Sequence, residues 1–161
     1  MQREKLFVKL SKCEFGKTSL VYLGYIVGGG ELKIDPSKVE VIVNWPKPTN
    51  VTELRSFMGA TQYWRNFIAN FSLIAAPLHD LTSVKRGFQW EGSQQKDFDT
   101  LKVNISTSHV LVLPDLQWSF EIETDASDYA MGAVLMQHKK PICYHSKTFT
   151  TTIINYPTYD K

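Results

Sequence analysis

Short apolar blocks separated by turn residues mark the first part of the chain. The block at residues 20–27 is β-branched and aromatic, which predicts a strand. Three glycines follow at residues 28–30, and Glu31–Ile34 comes next, so the pattern predicts a hairpin turn and a returning strand. A glycine run can also wrap a phosphate, but that loop needs a Lys-Ser/Thr pair opening a helix. Glu31 stands in that place, which favours the turn.

Two helix starts follow. Asp35 can cap a helix whose first residue is Pro36, and Asn50 with Glu53 three residues later has the spacing of a capping box. After Asn50 the apolar positions keep the helical period, which predicts one amphipathic helix and a further helical piece at residues 74–81. The positions that keep this period are Leu54, Phe57, Met58, Thr61, Trp64, Ile68 and Phe71.

The second half mixes both periods. The pattern predicts a helix over residues 93–106, with a short strand before it at residues 88–90. Three further strands are predicted at residues 118–124, 130–137 and 141–145.

Length and charge narrow the function classes. The 161 residues are 43% hydrophobic and 21% charged, enough for a modest core. The apolar runs are far shorter than the roughly 18 residues that cross a bilayer, and no secretory signal is recognised, so an intracellular setting (cytoplasm or nucleus) is expected. Residues 1–90 hold 12 Lys/Arg against 7 Asp/Glu, and residues 91–161 hold 6 against 9. The basic half suits a polyanionic partner, or it is an ordinary solvated surface.

An acidic cluster stands out in the second half. Glu121, Glu123, Asp125 and Asp128 lie within eight residues. Such a cluster attracts cations, and it repels phosphate unless a metal ion sits between the two.

Several segments together resemble one protein family. They are residues 10–27 (LSKCEFGKTSLVYLGYIV), 34–48 (IDPSKVEVIVNWPKP), 53–81 (ELRSFMGATQYWRNFIANFSLIAAPLHDL), 112–135 (VLPDLQWSFEIETDASDYAMGAVL) and 155–161 (NYPTYDK). In order and spacing they resemble the reverse transcriptase of gypsy-type LTR retrotransposons, over nearly the whole chain.

The resemblance implies an α+β fold in four segments. They are a β-hairpin palm remnant with a primer-grip-like hairpin (residues 1–34), a helical thumb (35–84), a connecting segment (85–117) and an incomplete ribonuclease H-like antiparallel three-stranded sheet (118–161). By the same resemblance, the chain is expected to begin after the catalytic Tyr-x-Asp-Asp hairpin of the palm and to stop inside ribonuclease H.

The resemblance also implies that this chain alone is not an enzyme, although its parent family is an RNA-directed DNA polymerase with ribonuclease H activity. No adjacent Asp pair occurs in the sequence. Asp125 is similar to the first of four ribonuclease H carboxylates, which hold Mg²⁺ in the complete parent enzyme. One carboxylate cannot position two metal ions, so no cofactor is expected for this chain alone. Asp125 would bind metal only if a longer partner supplied the missing carboxylates.

With polymerisation and cleavage excluded for this chain alone, the resemblance implies binding of an RNA/DNA hybrid or duplex. Residues 22–25 (Tyr-Leu-Gly-Tyr) resemble a primer grip, and Gly59 with Tyr63 resembles a minor-groove track on a thumb helix. A wide, shallow minor groove is recognised by shape and sugar contacts, and polar side chains beside the track would add hydrogen bonds and salt dependence. The predicted nucleic-acid-binding residues are Leu23, Gly24, Tyr25, Arg55, Gly59, Gln62, Tyr63 and Arg65.

Plainer alternatives stay open. Gly59 can serve close helix packing, and Tyr63 or Trp64 can be a core residue. Arg65 can be a solvated charge, and Asp125 can cap the turn that it makes with Ser127 and Asp128. The alternative function is a retained retroelement protein that acts through a protein partner or self-association, because Ile122 and its neighbours would lie on a poorly covered sheet.

Overall fold

A computed structural model describes residues 7–82 and 87–149. These two ranges contain four helices, α1 (Pro36–Val43), α2 (Val51–Gln62), α3 (Phe71–Leu81) and α4 (Gly92–Ser106). Seven strands accompany them in the described ranges, namely β1 (Ser19–Tyr22), β2 (Tyr25–Gly28), β3 (Glu31–Ile34), β4 (Leu111–Val112), β5 (Glu121–Ala126), β6 (Ala130–Gln137) and β7 (Lys140–Thr148). Single 3₁₀ turns occur at Leu10–Lys12 and Arg65–Phe67. This mixture confirms the predicted α+β class.

The first sheet is antiparallel, in the order β1-β2-β3-β4. The predicted turn at residues 28–30 is confirmed, since Gly28 pairs with Glu31. The single strand predicted over residues 20–27 is wrong, because a two-residue turn at Leu23 and Gly24 splits it into β1 and β2. Both turn residues have positive φ, 50° and 76°, which folds the apolar block back on itself.

Both predicted helix starts are confirmed. The Asp35 carboxylate accepts a hydrogen bond from the Ser37 N–H at 2.9 Å, and Pro36 is the first residue of α1. The Asn50 side chain accepts from the Glu53 N–H at 2.9 Å, while the Glu53 carboxylate accepts from the Thr49 N–H at 2.8 Å. This hydrogen bond from Thr49 lowers the pKa of Glu53. Both caps satisfy N–H groups that a helix start leaves without partners.

The long helix predicted over residues 50–71 is wrong, because α2 ends at Gln62. In a continued helix the Tyr63 carbonyl would accept from the Phe67 N–H. Instead it accepts from the Tyr25 hydroxyl at 3.1 Å, and the Phe67 N–H donates to Trp64 in a 3₁₀ turn. Asn70 then adopts a left-handed φ of 55° before α3 begins. Trp64, Phe67 and Ile68 are nevertheless buried, so the apolar spacing is satisfied by non-helical backbone.

The core lies between the helices and the edge of the first sheet. Buried apolar side chains form one cluster, which extends from Ile34 to Leu111 along the chain. Phe57 of α2 is at its centre, with ring centroids 4.5 Å from Phe98 of α4 and 5.9 Å from Trp45. The strand predicted at residues 88–90 is absent, and Trp90 instead packs on Phe98 and donates to the Gln95 side chain at 2.9 Å.

The second sheet is antiparallel, in the order β5-β6-β7. Its central strand matches the predicted residues 130–137. β5 begins at Glu121 rather than at residue 118, and β7 continues to Thr148 rather than ending at residue 145. β7 contacts α3, which joins the sheet to the helices. Among the described residues, no helix has the length and apolar character needed to span a membrane.

Candidate nucleic-acid interface

The turn between β1 and β2 lies against the end of α2. The Tyr63 hydroxyl donates to the Leu23 carbonyl at 2.6 Å, and the Tyr25 hydroxyl donates to the Tyr63 carbonyl at 3.1 Å. The two tyrosine rings stack with centroids 5.2 Å apart. The structure therefore brings together Leu23, Gly24, Tyr25 and Tyr63, which are about 40 residues apart in the chain. We call these four residues the hairpin–helix junction.

The shape of the junction depends on Gly24. Its φ of 76° lies in the left-handed region that favours glycine. A Cβ at this position would lie 3.8 Å from Lys38 Cγ and 3.9 Å from the Tyr63 ring, in ordinary contact. Leu23 also has positive φ, and its side chain is 66% exposed. The turn thus presents backbone and one apolar side chain to solvent, beside a lysine.

The Tyr25 phenol is the titratable group that the junction perturbs. Burial, followed by the nearby Tyr63, raises the pKa of Tyr25 to about 12. A partly buried phenolate loses solvation, and the neighbouring tyrosine disfavours its charge. The neutral hydroxyl is therefore available as a donor to the Tyr63 carbonyl throughout the ordinary pH range.

Titration of tyrosinate absorbance should detect this phenol. One tyrosine is expected to ionise at about pH 12, above the ordinary value of about 10. Because the folded-state pKa is the higher one, the stabilisation is fully present below about pH 10 and is lost as pH rises through the folded value. Tyr63→Phe should lower this pKa, whereas Tyr22→Phe, at an exposed strand position, should leave it unchanged. An unchanged titration in Tyr63→Phe would contradict the coupling.

Gly59 and Gln62 extend the junction along the exposed face of α2. A Cβ added to Gly59 would meet nothing within 4 Å, so close helix packing does not explain this glycine. Gln62 is exposed one turn later, and Tyr63 is 48% exposed rather than a core residue. Trp64, by contrast, is buried in the core. The face of α2 that carries Gly59, Gln62 and Tyr63 is therefore accessible to solvent, at the place where the sequence predicts contact with the minor groove of a duplex.

The two predicted arginines both have partners within the protein. Arg55 Nη2 donates to the Thr82 carbonyl at 2.8 Å, at the end of α3. Arg65 Nη2 donates to the Ser146 carbonyl of β7 at 3.0 Å. Arg65 is thus not simply a solvated charge. A guanidinium has five N–H donors, so each arginine keeps donors beyond the one that it uses within the protein. Binding of Arg55 and Arg65 to nucleic acid therefore stays a prediction.

Asp125 lies away from the junction, on the outer strand of the second sheet. It shares one face of β5 with Glu121 and Glu123, and all three are exposed. A small cavity of about 220 Å³ separates Asp125 from Asn70 of the helical part. The following turn is closed by Ser127, whose N–H donates to the Ala130 carbonyl at 2.9 Å. Ser127 therefore closes the turn through its backbone and its hydroxyl, both of which donate to Ala130.

The donors around Asp125 do not make a complete metal site. Within residues 7–82 and 87–149, no three His, Cys, Asp or Glu side chains come together as a metal would require. Mg²⁺ needs a near-octahedral set of fixed oxygens. Asp125 and Glu123 provide two carboxylates on an open strand. No chemical step through a metal follows from the described residues.

Sequence reasoning missed the residues that join the two parts of the molecule. Ser146 is a polar residue only 3% exposed, and it receives hydrogen bonds from Arg65 and Ser72. Asn70 contacts the position of Gly132 in β6. Asn is one of the few residues other than glycine that adopt left-handed backbone, but no pattern along the chain indicates the partner of Asn70.

Comparison with known proteins gives consistent results. A family model described as an RNase H-like domain found in reverse transcriptase matches residues 90–161. In Drosophila melanogaster, the Pol polyprotein from transposon 297 is 38% identical over 157 residues, which is 97% of this chain and 15% of that protein. The Pol polyprotein from transposon gypsy is 35% identical over 167 residues, 96% of this chain and 16% of that protein. This chain therefore spans about a sixth of the length of these relatives.

A shorter relative and a solved structure add to these matches. An uncharacterized mitochondrial protein of Arabidopsis thaliana is 38% identical over 121 residues, 74% of this chain and 76% of that protein. A structure of the foamy viral protease-reverse transcriptase in complex with RNA/DNA hybrid superimposes with a TM-score of 0.84 at 23% identity, covering 94% of this chain and 21% of that one. At this identity the superposition shows a shared fold.

Proposed function

This chain belongs to the gypsy-type retrotransposon Pol family, within its reverse transcriptase and RNase H-like region, and from that premise we propose that it grips an RNA/DNA template–primer duplex. The observation that carries the proposal is the hairpin–helix junction, in which Tyr63 of the thumb-like helix donates to the Leu23 carbonyl of the grip-like turn at 2.6 Å. Two elements with predicted roles on one ligand thus form a single surface.

The surface suits a minor groove. Gly59 leaves room for sugar and backbone to approach α2, while Gln62 can donate and accept hydrogen bonds there. Lys38 beside the turn and Arg55 on α2 provide positive charge. Arg55 can still donate to phosphate, because it uses only one of its donors on Thr82. Contacts to phosphate position a duplex without reading its sequence, and they weaken as salt increases. We therefore infer weak, salt-dependent and sequence-independent binding.

The solved relatives support a nucleic-acid ligand. The foamy viral enzyme that shares this fold is in complex with RNA/DNA hybrid in one structure and with double-stranded DNA in another. These ligands belong to that enzyme. For this chain, hybrid and duplex are the two ligands that we propose to test first.

We further propose that the chain by itself neither polymerises nor cleaves. Two-metal chemistry needs several carboxylates around both ions. The 161 residues contain no adjacent Asp pair, and Asp125 is the one position that matches a family carboxylate. Mg²⁺ belongs to the complete parent enzyme in this proposal. The division into segments ending at residues 34, 84 and 117, and an intracellular setting, also remain predictions.

Fluorescence anisotropy of a labelled RNA/DNA hybrid tests the grip. The chain is titrated at low and moderate salt, and Mg²⁺ is then added to the same samples, which are analysed for cleavage on a gel. Gly59→Glu should weaken binding by about tenfold, since it places a negative charge where the groove would approach; a tenfold loss corresponds to about 1.4 kcal/mol. The added side chain enters open space, so the fold should be unaffected. Val103→Glu, at an exposed position of α4, is the matched control.

The outcomes separate the candidates. Salt-sensitive binding that is lost in Gly59→Glu, kept in Val103→Glu and accompanied by no cleavage supports the grip. Absent binding at low salt, or equal loss in both variants, would overturn it. Cleavage by the chain alone would contradict the proposed inactivity.

A protein-binding role is the second candidate, and one observation favours it. Around β5, large apolar side chains lie in the open, with Ile122 68% exposed and Leu116, Trp118 and Tyr129 more than half exposed. Contiguous exposed apolar surface is typical of interaction sites. If the hybrid fails to bind, this surface becomes the stronger basis for function, through a protein partner or self-association.

A further inference from the structure

We propose that residues 65–72 are a positioning segment. The segment holds one row of the second sheet, in which Asp125, Gly132 and Ser146 lie opposite one another, at a fixed place relative to the hairpin–helix junction. The segment contains the 3₁₀ turn Arg65–Phe67, the left-handed Asn70 and the first residues of α3. This inference deepens the proposed function and rests on it for its consequence, because a gripped duplex would then present a defined stretch to Asp125.

One row of the second sheet carries the contacts. Asp125 pairs with Gly132 of β6, and Gly132 pairs with Ser146 of β7. Residues that are directly opposite in a sheet share a face. Asp125, Gly132 and Ser146 therefore form a straight line across three strands, on the face that meets residues 65–72.

Ser146 is held by three hydrogen bonds. Its carbonyl accepts from Arg65 Nη2 at 3.0 Å and from the Ser72 hydroxyl at 2.7 Å, and its hydroxyl accepts from the Ser72 N–H at 2.8 Å. Because Ser146 is 3% exposed, water cannot readily replace these partners. The inner end of the row is thus fixed to both ends of the segment.

Gly132 is packed closely against the Asn70 side chain. A Cβ at Gly132 would lie 2.7 Å from Asn70 Oδ1, closer than real Cβ contacts allow. The absence of a side chain there lets Asn70 reach the middle of the row. Asn70 in turn holds its left-handed φ of 55°, a conformation that residues other than glycine seldom adopt.

The same segment contacts the junction at its other end. The Phe67 ring stacks on Tyr25 with centroids 5.6 Å apart, and Arg65 follows Tyr63 by two residues. Short polar contacts on one side and stacked aromatic rings on the other leave little freedom between them. Arg65, Asn70, Ser72 and Ser146 are therefore positioning residues for Asp125, acting through the strand row.

Electron spin resonance distances on the full chain without nucleic acid test the positioning directly. Spin labels are attached at Ser56→Cys on α2 and Glu121→Cys on β5, after replacement of the free thiols Cys13 and Cys143. We expect one narrow distance distribution. Ser72→Ala/Ser146→Ala removes two of the three hydrogen bonds and should broaden or split it. Ser106→Ala, a serine that bonds within α4, is the matched control and should leave it narrow.

A suppressor pair separates positioning from loss of stability. Gly132→Ala should shift the distance distribution, because the new methyl group collides with Asn70. Adding Asn70→Gly removes the colliding side chain and suits the left-handed backbone, so it should restore the original distance. A narrow distribution that is unchanged in both Ser72→Ala/Ser146→Ala and Gly132→Ala would overturn the inference, as would a broad distribution in the unmodified chain.

A second arm tests the consequence on the duplex. An iron chelate attached at Glu121→Cys cuts bound RNA/DNA hybrid close to the label. We expect cuts clustered at one distance from the primer end, and a spread of cuts in Ser72→Ala/Ser146→Ala at equal affinity. If the hybrid does not bind while the free chain shows a single narrow distance, the proposed grip fails and the positioning stands on the distance result. Equally clustered cuts with and without Ser72→Ala/Ser146→Ala would overturn the proposed positioning of Asp125.

Discussion

Phe57→Ala is expected to lower the free energy of unfolding by about 3–5 kcal/mol, the typical cost of removing a buried phenylalanine. The Phe57 side chain is 0% exposed and lies between Trp45 and Phe98. Its removal loses apolar burial and leaves a cavity that neighbouring aromatic rings cannot easily fill. Chemical denaturation of the purified chain, followed by tryptophan fluorescence, measures the change.

Val103→Ala is the control for this substitution. Val103 lies on α4, five residues after Phe98, but it is 56% exposed. Its truncation should change the free energy of unfolding by no more than about 0.5 kcal/mol. Equal costs for Phe57→Ala and Val103→Ala would contradict a single core centred between α2 and α4.

Gly28→Ala should separate β1 from the rest of the first sheet. A Cβ at Gly28 would lie 2.5 Å from the Thr18 carbonyl oxygen and 2.7 Å from Ser19 Cα. These atoms belong to the backbone, so relief requires the strand to move, and overpacking of this kind costs about 1–3 kcal/mol. β1 is the edge strand and its side chains are exposed, so detachment is the available response.

Amide hydrogen exchange measures this detachment. We expect faster exchange at the paired amides of β1 and β2, with protection in α2 and α4 unchanged. Gly59→Ala is the matched control, because its Cβ meets open space and alanine favours a helix over glycine by about 1 kcal/mol. Undisturbed protection of β1 in Gly28→Ala would show that the strand is not closely packed against Gly28.

The grip-like turn connects this prediction to function. Leu23 and Gly24 join β1 to β2, so a detached β1 would leave the turn held from one side, by Tyr63 and by the Asp35 N–H, which donates to the Gly24 carbonyl at 3.0 Å. Reduced hybrid affinity in Gly28→Ala, with an intact core, would agree with a role for the turn in binding.

Local signals in the sequence predicted local structure well. The caps at Asp35 and Asn50 and the turn at residues 28–30 were all predictable, because each depends on atoms within a few residues. The family resemblance predicts the hairpin at residues 22–25, whereas the apolar pattern alone predicts a single strand there. The same resemblance predicts the four residues of the junction as nucleic-acid-binding residues, and this role stays a prediction.

Tertiary contacts decided the rest. Apolar spacing continues unbroken from Leu54 to Phe71, yet the helix stops at Gln62. The Tyr63 carbonyl then accepts from Tyr25, far away in the chain, instead of from the Phe67 N–H. The sequence is equally consistent with close packing and with exposure at Gly59, and the open space beside it in the structure excludes close packing.

Capping signals and hydrophobic periodicity thus predict the helix starts and most of the helices and strands, because these features depend on neighbouring residues. The break in the long helix and the partner of Arg65 depend on residues far away in the chain. Arg65 and Ser146 are 81 residues apart, and nothing in the spacing of either residue indicates the other. Such pairs form when burial brings distant polar groups together and each must find a hydrogen-bond partner.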